Sequence, residues 1–193
     1  MIKSVIDQIR HNLSCLTVKK IADPKRKPGA VILPLFSKHN EYYILFMKRT
    51  QTVKEHKGQI AFPGGTYEQT DKDLLNTALR EFTEETGIPS NRLEILGELD
   101  DCPTSTSNYI ISTFVGYIHS PFQIIIAEKE VEKTIEIPIP LLINEHFKSH
   151  EAEIKHLSEP VYHYENEIIW GATAKILHQF LNIWIQTSNN QKY

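Results

Sequence analysis

The 193-residue chain predicts an α/β fold, an α/β/α sandwich around a mixed β-sheet. Three observations predict it. Short apolar runs rich in Ile, Val, Phe and Tyr recur between residues 30 and 169, in irregular order with helices. A central segment, residues 71–86, carries Leu75, Ala78, Leu79 and Phe82 at helical spacing. A second helical stripe closes the chain, with Ala174, Ile176, Leu177, Phe180, Leu181 and Trp184 over residues 170–186. At ~100–200 residues per domain, the length accommodates one domain with a sizeable core.

Taken in order, Ile2, Val5, Ile6, Ile9 and Leu13 make an amphipathic helix that packs on the body, and its lack of a continuous apolar run argues against a signal peptide. Residues 23–29 (DPKRKPG) read as a polar linker. Residues 30–36 and 42–49 read as strands joined by the turn Ser37-Lys38-His39-Asn40-Glu41. Residues 50–57 form a polar loop, residues 59–62 a short extended piece, and Pro63-Gly64-Gly65 breaks it. The central helix ends at Gly87, where a left-handed residue fits, and Asp71 is a candidate N-cap. Residues 93–99 read as a half-buried strand, 100–108 as a loop, 109–118 and 122–127 as strands, 128–133 as a helical turn, 138–144 as the entry to another helix, and 161–169 as extended. The expected organisation is an N-terminal helix and linker over residues 1–27, one domain over 28–187, and a polar tail over 188–193.

Composition excludes several classes. Lys plus Arg number 21 against 24 Asp plus Glu, so the net charge of −3 argues against a general nucleic-acid binder. With 40% hydrophobic residues the chain is not disordered, and no run approaches a membrane span. Cys15 and Cys102 belong to no Cys-x-x-Cys unit and read as small buried hydrophobes in a reducing, cytoplasmic setting. His146, His150 and His156 lack a zinc-ligand pattern and read as surface residues, and Trp170 reads as core. Asp100, Asp101 and the Ser/Thr-rich stretch to Asn108 read as a solvated connection.

Chemistry concentrates in the central helix. Glu81, Glu84 and Glu85 stand at i, i+3 and i+4, which places three carboxylates on one face opposite the apolar stripe. Like charges so spaced cost ~0.2–0.5 kcal/mol per pair, and a hard divalent cation reverses that sign. Arg80, four residues before Glu84, can hold that carboxylate. The Gly64-Gly65 corner lets backbone approach a phosphate or metal. On spacing alone a solvated acidic face is the favoured reading.

The wider pattern separates these readings. Arg80-Glu81-Phe82-Thr83-Glu84-Glu85-Thr86-Gly87-Ile88 matches the second half of the Nudix box, and Phe62-Pro63-Gly64-Gly65 resembles that family's entry to it. Lys72 stands where the box has its first Glu, and Asp71 follows Gly65 by a loop one residue longer than usual. Leu45, Arg49, Gly58 and residues 62–65, with Ile169-Trp170-Gly171-Ala172-Thr173 near the end, resemble the coenzyme A pyrophosphatase branch. Phe46 and Met47 depart from that branch, Thr50 replaces its Ser, and Lys54 replaces its Arg.

The resemblance implies a Nudix-type sandwich and Mg²⁺- or Mn²⁺-dependent hydrolysis of a diphosphate in a small nucleotide substrate, with coenzyme A or its thioesters expected first. ADP-ribose, a dinucleotide or a nucleoside triphosphate is the alternative, and a non-catalytic nucleotide-binding module is the reading from another class. The implied metal ligands are Glu81, Glu85 and Glu84 with a carbonyl from Gly65 or Gly64, and the implied catalytic residues are Glu84, Glu85, Glu81 and Arg80. Arg49, Lys54 and Lys48, with Gly64 and Gly65, are the expected substrate contacts, within a basic cluster completed by His56 and Lys57. A solvated basic loop is the alternative for Lys48, His56 and Lys57. The general base stays open among Glu84, Glu145, Glu151 and Glu153. Neither nucleic acid nor membrane is an expected partner. The resemblance leaves a homodimer as one possible assembly, which the N-terminal helix is compatible with.

Overall fold

The computed structural model describes residues 4–52, 56–154 and 159–189, with only the backbone described for 147–154 and 189. The chain begins with α1 (Val5–Ser14), capped by the Ser4 hydroxyl accepting from the Asp7 N–H. Ile6, Ile9 and Leu13 are buried against the body, beside β5 (Leu93–Glu98) and α4 (Gly171–Asn189). The apolar stripe is therefore covered within the chain, as its helical spacing led one to expect. Ile9 is fully buried, so Ile9→Ala is expected to cost ~2–5 kcal/mol in a denaturant titration, by lost burial plus a cavity.

The sheet is mixed. β1 (Lys27–Lys38) pairs antiparallel with β2 (Glu41–Arg49) and parallel with β7 (Tyr109–Ile118), while β7 pairs antiparallel with β5. β3 (Ile60–Ala61) and β8 (Val131–Pro138) join β2, β4 (Gly64–Thr66) joins β1, and β6 (Cys102–Pro103) joins β7. Alternation along β1 explains the layering. Ala30, Ile32 and Phe36 face α2 (Leu74–Thr86), with its Ala78 and Phe82, while Leu33 and Leu35 face α1 and α4, with Ile9, Leu177 and Phe180. A central strand with core on both faces must be apolar at nearly every position, as residues 30–36 are. The expected α/β/α sandwich is what forms.

Several local expectations are corrected. The strand β1 starts inside the segment read as a linker. The helix α2 starts at Leu74, and Asp73 rather than Asp71 caps it, accepting from the Asn76 N–H at 2.8 Å. Residues 122–127 do not form a strand; the Ile125 and Ala127 N–H groups donate to the carbonyls of Thr86 and Glu85 at the C-terminus of α2. Residues 128–133 are not a helical turn throughout, because β8 begins at Val131. Its Val131, Ile135 and Ile137 point inward between charged neighbours, and pairing with β2 overrides the weak strand propensity of Glu and Lys. The 161–169 segment folds into a hairpin of β9 (Tyr162–Tyr164) and β10 (Glu167–Ile169), preceded by α3 (Ile139–Ile154).

Three side chains also sit elsewhere than expected. Cys15 is exposed, while Cys102 is buried. His146 is buried: its ring nitrogens meet the Tyr162 hydroxyl and the Asn182 side-chain oxygen at 3.0 Å each, a polar cluster in which tertiary partners replace water. Trp170 is 46% exposed instead of packing in the core. No helix among the described residues is long and apolar enough to cross a membrane.

Candidate active site

The site is built where α2 meets the edge of β4. Pro63 delivers its carbonyl to the Ile32 N–H at 2.9 Å, and Phe62 stacks on Phe46 with centroids 4.9 Å apart, so the Phe-Pro-Gly-Gly segment is fixed to the sheet. Gly64 and Gly65 then present bare backbone to α2. A Cβ on Gly65 would lie 2.5 Å from the Glu81 carboxyl carbon, so only glycine lets that side chain reach over the strand. The Gly64 N–H donates to the Glu85 carboxylate at 2.8 Å.

The three glutamates share a face but differ in depth. Glu85 is 2% exposed, and burial, with Glu81 adding like charge, pushes its carboxyl up to about 8 against the bond from Gly64. Glu81 is also pushed upward, mainly by burial. Glu84 lies at the surface and pairs with Arg80 at 3.3 Å. The face is thus not the uniformly solvated surface that spacing alone also allowed. Among the described residues no three acidic or histidine side chains already converge on one point as a closed cation cage. The donor chemistry nevertheless fits a hard divalent ion. Two neighbouring, largely desolvated carboxylates offer oxygen ligands, and the Arg49 guanidinium at 3.6 Å from Glu85 supplies only a partial counter-charge.

Arg80 binds more than the expected Glu84. It bridges Asp71 at 3.0 Å and Glu81 at 3.0 Å, so it ties the loop before α2 to the carboxylate face. Asp71 also accepts from the Thr77 hydroxyl at 2.8 Å and the Glu68 N–H at 3.0 Å. The Arg80 bonds, helped by these donors, hold its carboxyl well below the usual carboxylate range. A lowered native pKa stabilises the fold above the ordinary carboxylate range, and that stabilisation is lost as pH falls through the native value. Asp71→Asn is expected to lower the Tm at pH 7, with the difference from wild type shrinking toward the acid limit in a pH series of melts.

A cavity of about 680 Å³ opens beside this corner. Arg49, Gly64 and Gly65 are among the residues that line it. His56 and Gln59 line it too, and their side chains are joined at 2.9 Å. The Nε of Arg49 is buried and without a partner among the described residues. Glu130, which sequence reasoning passed over, also lines the cavity, and its charge acts on both Glu81 and Glu85. The 127–130 turn is held there because Ala127 donates to the Glu85 carbonyl and the Glu130 carbonyl accepts from Thr50. Its only signal in the sequence is an acidic residue directly before a strand.

Other expected contacts fall differently. Lys48 is not on the cavity wall; it pairs with Glu167 at 3.0 Å and Glu132 at 3.6 Å. Lys54 lies outside the described residues, as do the side chains of Glu151 and Glu153. Glu145 does not line the cavity; it accepts from the His163 N–H at 3.3 Å. Asp101 is no solvated linker residue, because it accepts from the Ser112 hydroxyl at 2.6 Å and the Ile21 N–H at 2.9 Å.

An α/β/α sandwich that brings paired glutamates from one helix to a glycine corner at a nucleotide-sized cavity defines the class of Nudix-fold hydrolases. The sequence agrees: it matches the NUDIX domain over residues 25–158, and the chain belongs to the Nudix hydrolase family. It is 33% identical over 164 residues to a protein named uncharacterized Nudix hydrolase NudL from Photorhabdus laumondii, covering 83% of this chain and 86% of that one. A NudL of the same designation from Pectobacterium atrosepticum is 32% identical over 159 residues, covering 80% and 81%. Among solved structures, the fold is similar to a Caenorhabditis elegans Ap4A hydrolase in a binary complex, with a TM-score of 0.55, 12% identity, and 85% and 98% of the two chains covered. It is likewise similar to a Nudix hydrolase from Alicyclobacillus acidocaldarius, with a TM-score of 0.51, 15% identity, and 88% and 97% covered.

Proposed function

We propose that the protein hydrolyses the diphosphate of coenzyme A or its thioesters, releasing 4′-phosphopantetheine and adenosine 3′,5′-bisphosphate, with Mg²⁺ or Mn²⁺ as the cofactor. The observation that carries the reading is the meeting of Glu81, Glu85, Gly64 and Arg49 beside a cavity large enough for a nucleotide. The motif around Leu45, Arg49, Gly58 and residues 62–65 supports the choice of coenzyme A among diphosphates.

Glu81 and Glu85 are the ligands that would hold the divalent ion, and the exposed Glu84 would share in holding it. When bound, that ion neutralises the diphosphate and acidifies the attacking water. Arg49, whose Nε has no partner among the described residues, would bring its positive charge to a phosphate oxygen. Arg80 is a positioning residue that fixes Glu81 and Glu84 while its other face is held by Asp71. Glu130, at the cavity wall and near enough to act electrostatically on both buried glutamates, would accept the proton from water. Water adds across one P–O–P bridge, and the leaving phosphate takes the displaced oxygen.

Purified protein with Mn²⁺ or Mg²⁺ is to be offered coenzyme A, ADP-ribose, NADH and diadenosine polyphosphates, with products read by mass spectrometry. Coenzyme A is expected to give the highest kcat/KM. Preference for a substrate lacking the 3′-phosphate would overturn that choice, and no turnover on any would favour a binding module.

A further inference from the structure

The cavity is short of positive charge. Among its described lining residues Arg49 is the only lysine or arginine, and it faces Glu85, while Glu130 and Glu159 add negative charge to the wall. Lysines on the surrounding elements are committed elsewhere. Lys175 pairs with Glu159 at 2.7 Å, and Lys48 and Lys133 both pair with Glu167, at 3.0 and 2.9 Å. Lys27, at the start of β1, is different: it is exposed, and no carboxylate pairs with it among the described residues. Its ammonium stands instead 5.7 Å from the centroid of the Tyr109 ring. Tyr109 is a wall residue, and its hydroxyl accepts from the Thr66 hydroxyl at 3.1 Å. Thr66 follows Gly65 on β4, so a continuous wall runs from the glycine corner through Thr66 and Tyr109 to Lys27.

The backbone beneath this lysine is fixed. The Lys27 N–H donates to the Asn108 carbonyl at 2.9 Å, and the Asn108 side-chain amide donates to the Lys25 carbonyl at 2.8 Å. The Arg26 guanidinium donates to the Thr104 carbonyl at 2.8 Å, with its charge met by Asp23 at 3.4 Å. Residues 25–27 are thereby stapled to the loop whose residues 104–107 (TSTS) line the cavity. In that loop the Thr104 hydroxyl accepts from the Tyr109 N–H at 2.8 Å, whereas the Ser107 hydroxyl is buried and has no partner among the described residues. A buried hydroxyl is nearly always bonded, so one left open on a cavity wall has a bond to give.

We propose that Lys27, together with the Ser107 hydroxyl, holds a phosphate monoester of the substrate remote from the diphosphate, and so sets substrate choice. An uncommitted ammonium on a flexible stem, beside open hydroxyl donors, matches the charge and the acceptor oxygens of such a group. In a cavity otherwise rich in carboxylates, a second phosphate needs a cation that the wall itself does not supply. On the coenzyme A reading, on which this assignment rests, the group is the 3′-phosphate. The reaction leaves that phosphate unchanged, so the contact discriminates between substrates that carry it and those that lack it.

Coenzyme A and its 3′-dephospho form differ only in that phosphate, and both are to be offered with Mg²⁺ or Mn²⁺ to wild type, Lys27→Met and Lys27→Arg. Wild type is expected to favour coenzyme A about tenfold in kcat/KM, mainly through KM. Lys27→Met should bring the ratio to about one by raising KM for coenzyme A alone. Lys27→Arg should keep most of the preference, which separates loss of charge from loss of folding. Calorimetry in EDTA gives a readout without turnover. Adenosine 3′,5′-bisphosphate should bind about tenfold more tightly than adenosine 5′-monophosphate, and the difference should shrink as NaCl is raised. Lys27→Met should abolish that difference, and Ser107→Ala should reduce it about threefold. Equal activity of wild type on the two coenzyme forms, equal loss on both in Lys27→Met, or inorganic phosphate binding as tightly as the bisphosphate overturns the proposal. Lys27-dependent binding of the bisphosphate without turnover of any diphosphate would support the subsite while defeating the hydrolytic reading; coenzyme A turnover with no preference over the dephospho form would do the reverse.

Discussion

Glu85→Gln is expected to lower kcat on the order of a thousandfold while leaving the metal-free fold intact and, at alkaline pH, more stable than wild type. The side chain sits at 2% exposure, and among the described residues a Gly64 N–H at 2.8 Å and Arg49 at 3.6 Å are what offset its charge. Burial raises its carboxyl to about 8. A carboxyl whose native pKa exceeds its unfolded value holds its proton more tightly in the folded state. Its contribution is therefore full below the ordinary carboxylate range and is lost as pH rises through about 8. In EDTA, wild-type Tm should fall across that window from this group, and Glu85→Gln should remove that fall, since the amide keeps an oxygen for Gly64 and carries no charge. Mn²⁺ should then raise wild-type Tm and have little effect on the variant. Differential scanning calorimetry from pH 5 to pH 9, with kcat from the same preparations, checks both halves. Full activity in Glu85→Gln would remove the role given to this carboxylate, and a wild-type-like pH slope in the variant would place the titration on another group.

The glycine corner should split into two different outcomes. On Gly64 a Cβ would lie 2.6 Å from the Val31 Cα and against the Ala30 carbonyl, at φ +154°. Those are backbone atoms of the paired strand, so Gly64→Ala must separate β4 from β1, at a cost of about 3 kcal/mol. For a chain of this size that corresponds to a Tm lower by roughly 6–12 °C. On Gly65 the obstacle is the end of the Glu81 side chain, which can swing away. Gly65→Ala should therefore keep nearly all its stability and lose activity roughly a hundredfold, because Glu81 is moved from its place over the strand. Thermal melts and steady-state kinetics on both variants distinguish the cases. Equal stability loss in the two would show that the corner is a folding element alone.

These expectations rest on features of unequal legibility in the chain. The pattern of Glu81, Glu84 and Glu85 on one face of α2 follows from the helical period, and residues 30–36 had to be a doubly covered strand because they are apolar throughout. The left-handed end of α2 at Gly87 was equally local, with φ +69° in the structure. The cap was misplaced by two residues because Asp71 and Asp73 are chemically alike. Only the approach of Arg80 and Thr77 shows that Asp71 is used up by side chains, leaving Asp73 for the helix. The strand β8 was hidden because its outward positions are Glu and Lys, and the antiparallel partner that makes it a strand lies over eighty residues earlier.

From its sequence alone, this protein has its layer order, its carboxylate face and its glycine corner, because each depends on spacing within one element or on short-range backbone freedom. Depth was decided by the tertiary structure. It seals Glu85 while leaving Glu84 in water, buries His146 beside Tyr162, exposes Trp170 and brings Glu130 to the same wall. The reason is physical: a side chain's distance from water, and so its charge state and its access to a ligand, is set by whichever distant segment packs over it.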